Sequence, residues 1–286
     1  MPGIRLHAPL IAASLVLSGC SVTKLGYDVL PTWVHWQAER YLDLDEQQRA
    51  IVGRRVEEVH QWHRRTQLPR YARFLRDVGR EVEDGVDAEE LGRWRDEVSE
   101  AWTSVAERLA PGVAELALTL RPEQLERLRE RLDEGLEKAR ETMLPAGEAA
   151  RERARLDRIV KRAEFFLGSL SRAQVRAFRP AIDALPPVEE AWIEERRARQ
   201  HHLLALLNRI RREKPPRDEA TRMCREFLVS MWQSRDARRR HRIEQGIEAS
   251  DTLSARILSE ATPRQREHLA RLIRDLIEDF GLLAGK

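Results

Sequence analysis

The 286-residue chain has only two cysteines, Cys20 and Cys224, so no disulfide framework holds it together and packing must do so. It has 14 glycines, and it carries no phosphate-cradling glycine loop, no G-x-S-x-G elbow and no H-E-x-x-H pair. These absences exclude the motif-borne nucleotide-binding, serine-hydrolase and zinc-protease chemistries. Charge of one sign is not in excess either: 51 basic residues face 48 acidic ones, and despite a pI of about 9.1 the net charge of +3 gives no strong field. Nucleic acid is therefore not an expected partner. The longest apolar run, Leu10 to Leu17, falls short of the roughly 20 residues needed to span a bilayer.

The remaining composition, 42% hydrophobic and 35% charged with almost no strand-like alternation, is that of exposed amphipathic helices. Apolar positions three and four apart recur along the chain. The clearest stripe is Leu269, Leu272, Ile273, Leu276, Ile277, Phe280 and Leu283, and a second is Leu91, Trp94, Val98, Trp102, Val105 and Leu109. Breaks are expected at Pro69, Gly85, Pro111-Gly112, Pro145-Ala146-Gly147, Pro180, Pro186-Pro187, Pro215-Pro216 and Pro263. The expected fold is all-α, a bundle of about ten amphipathic helices with no sheet.

The N-terminus has its own layout. Arg5, the apolar run and then Leu17-Ser18-Gly19-Cys20 form a secretory signal, and the last four residues resemble a bacterial lipobox. That resemblance implies cleavage after residue 19 and acylation of Cys20, and Ser21 following it points to the outer membrane, periplasmic face. Removing 19 residues leaves roughly 267, enough for one large domain or two modest ones. The expected organisation is a signal peptide at 1–19, a lipidated cysteine and short tether at 20–30, and one helical domain at 31–283. The tether could reach about 35 Å if extended, and a soft division is allowed near 186–187.

One short motif recurs at four places: Leu44 to Gln48, Leu120 to Gln124, Leu170 to Gln174 and Ala261 to Gln265. An apolar residue (Ala in the last) precedes a polar tetrapeptide ending in Gln, and a helical run follows. Asp45, Ser171 and Thr262 are N-cap residue types, and Gln48, Gln174 and Gln265 stand three positions later, the spacing of a capping box. The copy at Leu120 has Arg121 in the cap position. As local physics, four capped helices suffice. The motif also resembles the LTxxQ motif of Spy/CpxP-type periplasmic chaperones, helical cradles that bind unfolded clients without ATP. A broader resemblance rests on Tyr27, Trp33 and Trp36, Tyr41-Leu42-Asp43-Leu44 leading to Gln48, Trp62-His63-Arg64, and Leu68-Pro69-Arg70-Tyr71-Ala72. This pattern is similar to that of an uncharacterised, domain-of-unknown-function family of proteobacterial lipoproteins, and it implies no particular activity.

Residues that could carry chemistry are few. Glu57 and His60 have the spacing of one half of a di-iron site, but no second half exists, and His60 with His63 or His201 with His202 reads as surface or packed histidine; no metal or cofactor is expected. Cys224, between Met223 and Phe227, reads as a buried, inert thiol, with a reactive or intermolecular thiol as the alternative. Tyr27, Trp33, Trp36 and Tyr41 fit core packing of the first helix, with the headgroup layer of a membrane as the alternative. Arg235, Arg238, Arg239 and Arg242 fall on one helical face and form a candidate stripe for an acidic client or anionic lipid. The expected function is a non-enzymatic interaction or chaperone-like module anchored to the outer membrane, with unfolded or envelope proteins as partners. The alternative is an envelope hydrolase whose catalytic carboxylates are scattered among the acidic residues. Two convergent carboxylates of raised pKa would favour the enzyme, and a cradle with an apolar floor and basic rim the binder.

Overall fold

A computed structural model describes residues 19–285, with side chains from Thr23 onward. Leu17 and Ser18 of the lipobox lie outside the described residues, as does the side chain of Cys20. Ten helices and no strand are found among the described residues: α1 (Gly19–Leu42), α2 (Glu46–Asp84), α3 (Ala88–Ala117), α4 (Pro122–Met143), α5 (Glu148–Leu167), α6 (Arg172–Asp183), α7 (Glu189–Glu213), α8 (Arg217–Ser230), α9 (Ala237–Ser259) and α10 (Pro263–Ala284). The chain is an all-α multi-helix bundle. No described helix is long and apolar enough to cross a membrane.

Several expected breaks are absent. Pro69, Pro111 and Pro180 sit inside α2, α3 and α6. Each proline removes one backbone donor. At Pro69 the helix continues because Leu68 and Ala72, on either side of it, are buried. The true ends fall where a residue can take positive φ, as at Gly85, Gly147 and Gly168, or where a Gln motif restarts the helix.

Helix α2, about 58 Å long at 1.5 Å per residue, is the spine. It meets one hydrophobic core near Val52 and another near Val78. The first core gathers Leu44, Val52, Leu120, Leu128, Ile210 and Cys224. The second gathers Val78, Leu167, Phe178, Ile182, Leu253 and Ile273. Both draw residues from before and after 186–187, so neither core is confined to one side of the soft division allowed there. Instead the chain passes from core to core and back.

Helix α10 lies along α2, α8 along α3, and α4 along α7. On α3 the deepest side chains are alanines: Ala106, Ala110, Ala114 and Ala117 are fully buried, whereas Val98 of the expected stripe is exposed. Small residues let helices approach closely, and a β-carbon on Gly112 would stand 3.0 Å from Arg55 Cβ on α2. The larger apolar residues of α3 flank this seam, and Trp102 Nε1 donates to the Leu228 carbonyl of α8 at 2.9 Å.

The expected tether is also different. Residues 20–30 are the first turns of α1 and are fastened to the body. Lys24 Nζ lies 3.3 Å from the buried carboxylate of Asp279 on α10. The Tyr27 carbonyl lies 3.1 Å from His60 Nε2, its hydroxyl lies 3.0 Å from His63 Nδ1, and Arg64 pairs with Asp28 at 2.9 Å. Tyr71 meets His63 edge-on at 5.4 Å and Phe280 at 6.2 Å. Residues of the Tyr27 and Trp-His-Arg segments thus form one aromatic cluster that joins α1, α2 and α10. Burial pushes the Tyr27 hydroxyl up to about 12, against the opposing pull of Arg64.

Candidate functional site

The capping boxes at Asp45, Ser171 and Thr262 have both reciprocal bonds. The backbone N–H groups of Gln48, Gln174 and Gln265 donate to the cap side chains at 3.0, 3.1 and 3.3 Å, and each Gln Oε1 accepts the cap residue's own N–H. A fourth box, Asp87 with Glu90, lies outside the Gln motif. At the deviant copy, Gln124 Oε1 accepts from Arg121 N at 3.0 Å, while the Arg121 guanidinium reaches across to the Asp45 carboxylate at 2.5 Å. The arginine caps no helix of its own and instead binds the cap of another.

The glutamines also meet in pairs. Gln48 Nε2 donates to Gln124 Oε1 at 3.1 Å and Gln124 Nε2 returns a bond to Gln48 Oε1 at 2.7 Å. Gln174 and Gln265 do the same at 2.9 and 3.2 Å. The spare N–H of each of three amides goes to the turn before the opposing helix: Gln48 to the Thr119 carbonyl, Gln124 to Leu42, and Gln265 to Ser169. Both amide groups of the Gln48–Gln124 pair are thereby fully used. The motif thus clasps helix N-termini together in addition to capping them, one clasp beside each core.

Between the cores a cleft of about 1030 Å³ opens among α3, α4, α5, α7, α8 and α9. Its apolar wall includes Leu132, Met143, Ile159, Trp192, Phe227 and Ile247, and six arginines line it against only three carboxylates. Those carboxylates are engaged. Glu189 accepts from Arg155 at 2.8 Å and from Arg158 at 2.7 Å; Glu195 accepts from Arg199 at 2.9 Å and from Arg239 at 2.8 Å; Asp251 meets Arg95 at 2.5 Å. Burial acts to raise the Glu189 and Glu195 carboxyls, but hydrogen bonds outweigh it, from Arg155 to Glu189 and from Ser234, Arg239 and Arg199 to Glu195, and hold both below the usual range. Arg162 and Arg196 have no ionic partner among the described residues and are exposed at the cleft. Arg158 Nη1 and Gln200 Oε1 are buried there without a hydrogen-bond partner.

The basic stripe expected on α9 is only partly a free face. Arg235 precedes the helix, whose N-cap is Asp236. Arg239 is spent on Glu195, and Arg242 pairs with Glu194 at 3.0 Å. Arg235 lines a smaller groove with Trp232 and Arg240 and donates to Ser230 Oγ at 3.3 Å, and of the four Arg235 and Arg238 are exposed cations without an ion pair among the described residues. The cationic excess lies instead on α5 and α7. Arg155, Arg158 and Arg162 follow helical spacing beside Ile159, and Arg196 and Arg199 do so beside Trp192, a pattern visible in sequence only once these helices are known to face each other. Cys224 is fully buried, and burial pushes its thiol up to about 12. No cluster of three or more metal-ligating residues occurs among the described residues. His60 and His63 are held by Tyr27, while His201 and His202 are exposed.

The fold and cleft define a class: an all-helical protein with two cores, clasped helix ends and an apolar, arginine-rich cleft. The chain belongs to a family of unknown function, DUF6279, whose model matches residues 40–249 and so includes every arginine of the cleft. No curated protein and no solved structure matches it.

Proposed function

We propose that this protein is a lipoprotein anchored through Cys20 to the periplasmic face of the outer membrane, and that it is a non-enzymatic, chaperone-like binder. Its cleft receives segments of envelope proteins that combine apolar and acidic side chains. The cleft carries this reading, because it joins an apolar wall to unpaired arginines. A hydrolase that works through a carboxylic acid pair needs convergent carboxylates, one of raised pKa, whereas Glu189 and Glu195 are each bridged by arginines and held low. The likeness of the Gln motifs to those of Spy/CpxP-type proteins adds support by analogy.

The test is light scattering of a denatured acidic protein without nucleotide, in the presence of the mature chain. The wild-type chain should slow aggregation, less so as salt shortens the Debye length from ~10 Å at 0.1 M to ~3 Å at 1 M. Reversing Arg162 and Arg196 to Glu should reduce protection, whereas reversing the exposed Arg238 should not. Absence of protection by the wild-type chain at molar excess would remove the chaperone reading.

A further inference from the structure

Half of the large apolar side chains exposed on the described chain belong to α1. Leu25 is 64% exposed, Val29 55%, Trp33 53% and Trp36 55%, with Leu30 at 40% beside them. The spacing of the first four, at i, i+4, i+8 and i+11, makes one stripe along the helix. The opposite side is committed: Lys24 to Asp279, Tyr27 to His60 and His63, and Ala38 and Tyr41 to the first core. Core packing, expected for the whole aromatic cluster, therefore holds for the two tyrosines and fails for the two tryptophans. The exposed charges of α1 beside this stripe are Asp28, which pairs with Arg64, and Arg40, whose guanidinium lies 5.6 Å from the Trp36 ring.

We propose that this face of α1 rests on a lipid surface, as a second membrane contact beside the acyl chains on Cys20. The proposal relies on the anchoring reading above. Three observations favour lipid. The helix containing Cys20 is the same helix that bears the stripe, and Leu25 follows the acylation site by only about 7.5 Å of helical rise. Trp and Arg at the edge of an apolar stripe are the residues that settle in the headgroup layer. The stripe is also small for a dimer: five side chains about half exposed offer roughly 500 Å², below the roughly 800 Å² per partner of a standard interface.

The experiment uses the acylated mature chain in phosphatidylethanolamine–phosphatidylglycerol vesicles, with and without brominated acyl chains as fluorescence quenchers. Brominated vesicles should quench tryptophan emission. The double variant Trp33→Gln, Trp36→Gln should lose most of that quenching while keeping its helicity by circular dichroism, and Trp232→Gln should keep it. Mass spectrometry reads the acyl modification separately. A chain lacking that mass defeats the anchoring reading, and the unacylated chain is then tested on the same vesicles, where no binding overturns the proposal too. An acylated chain whose quenching does not depend on Trp33 and Trp36 overturns the lipid contact alone. A dimer in solution that the double variant dissolves assigns the face to a second copy, and equally overturns it.

Discussion

Gln48 and Gln124, 76 positions apart, face each other as a reciprocal amide pair in which each side chain also closes the N-terminus of its own helix. Only a primary amide supplies both the acceptor for the cap N–H and the donors for the partner and the opposing turn. Gln48→Leu should therefore destabilise by about 1–3 kcal/mol, because it strands the Gln124 amide and the Thr119 carbonyl in a buried site. Gln124→Leu should cost a similar amount, and the double variant less than both together, with a coupling of ~0.5–3 kcal/mol. Urea unfolding of the four proteins measures this. Strict additivity would mean the pair is not coupled.

The cap residues make a smaller, separable contribution. Ser171→Ala, Thr262→Ala and Asp87→Ala should each cost about 1 kcal/mol by leaving a helix N-terminal donor unpaired. Thermal melts report it. Arg121→Ala has no cap to remove, and as an exposed partner of Asp45 it should cost under about 1 kcal/mol. Equal losses at Arg121 and Ser171 would contradict this assignment of roles.

Mild acid should loosen the joint between α1 and α2. Burial, and secondarily the nearby His60, lower the pKa of His63 below its ordinary 6.5. The unfolded chain therefore binds the proton more readily. The stabilising contribution of neutral His63 is complete above pH 6.5 and falls as pH drops from there to the lowered folded value. Carboxylates held below 4.5, such as Glu189, begin to matter only at lower pH. Urea midpoints between pH 7.5 and 5 should fall for the wild-type chain and flatten for His63→Gln. An identical slope in the variant would assign the effect to another group.

Gly246, buried in α9, forms part of the cleft wall. A β-carbon there would stand 2.3 Å from Val188 Cγ1. Gly246→Ala should cost about 1–3 kcal/mol through overpacking, and adding Val188→Ala should recover part of the loss. A calorimetric melt tests both. No recovery would mean that the strain is relieved elsewhere.

The readability of these features in the sequence depended on how locally each is determined. The α10 stripe is plain because its buried positions, Leu269, Ile273 and Leu283, are large and share one face of the helix. The α3 seam was misread because its deepest residues are alanines, which carry little apolar signal although they set how closely helices approach. Pro69 and Pro111 read as breaks because the local cost of proline is clear in the sequence and the packing that overrides it is not. The caps were visible three residues apart. Their pairing across 76 and 91 positions was not. The cleft was illegible for the same reason: its arginines come from α3, α5 and α7, and only folding places six of them around three acids. Charge counted along the chain instead picks out Arg235, Arg238, Arg239 and Arg242, of which neighbouring glutamates neutralise the last two.

The shuttling of the chain between its two cores has a temporal consequence. The first core takes Leu44 and Val52, then Leu120 and Leu128, and is not closed until Ile210 and Cys224 arrive; the second takes Val78, Phe178 and Ile182, and waits for Leu253 and Ile273. A chain that emerges N-terminus first, from a ribosome or a translocation channel, thus holds no finished core until most of its length is free. Contacts of long sequence separation are slow to form, and such a nascent chain stays threadable until late, then closes its two cores in quick succession as α8, α9 and α10 appear.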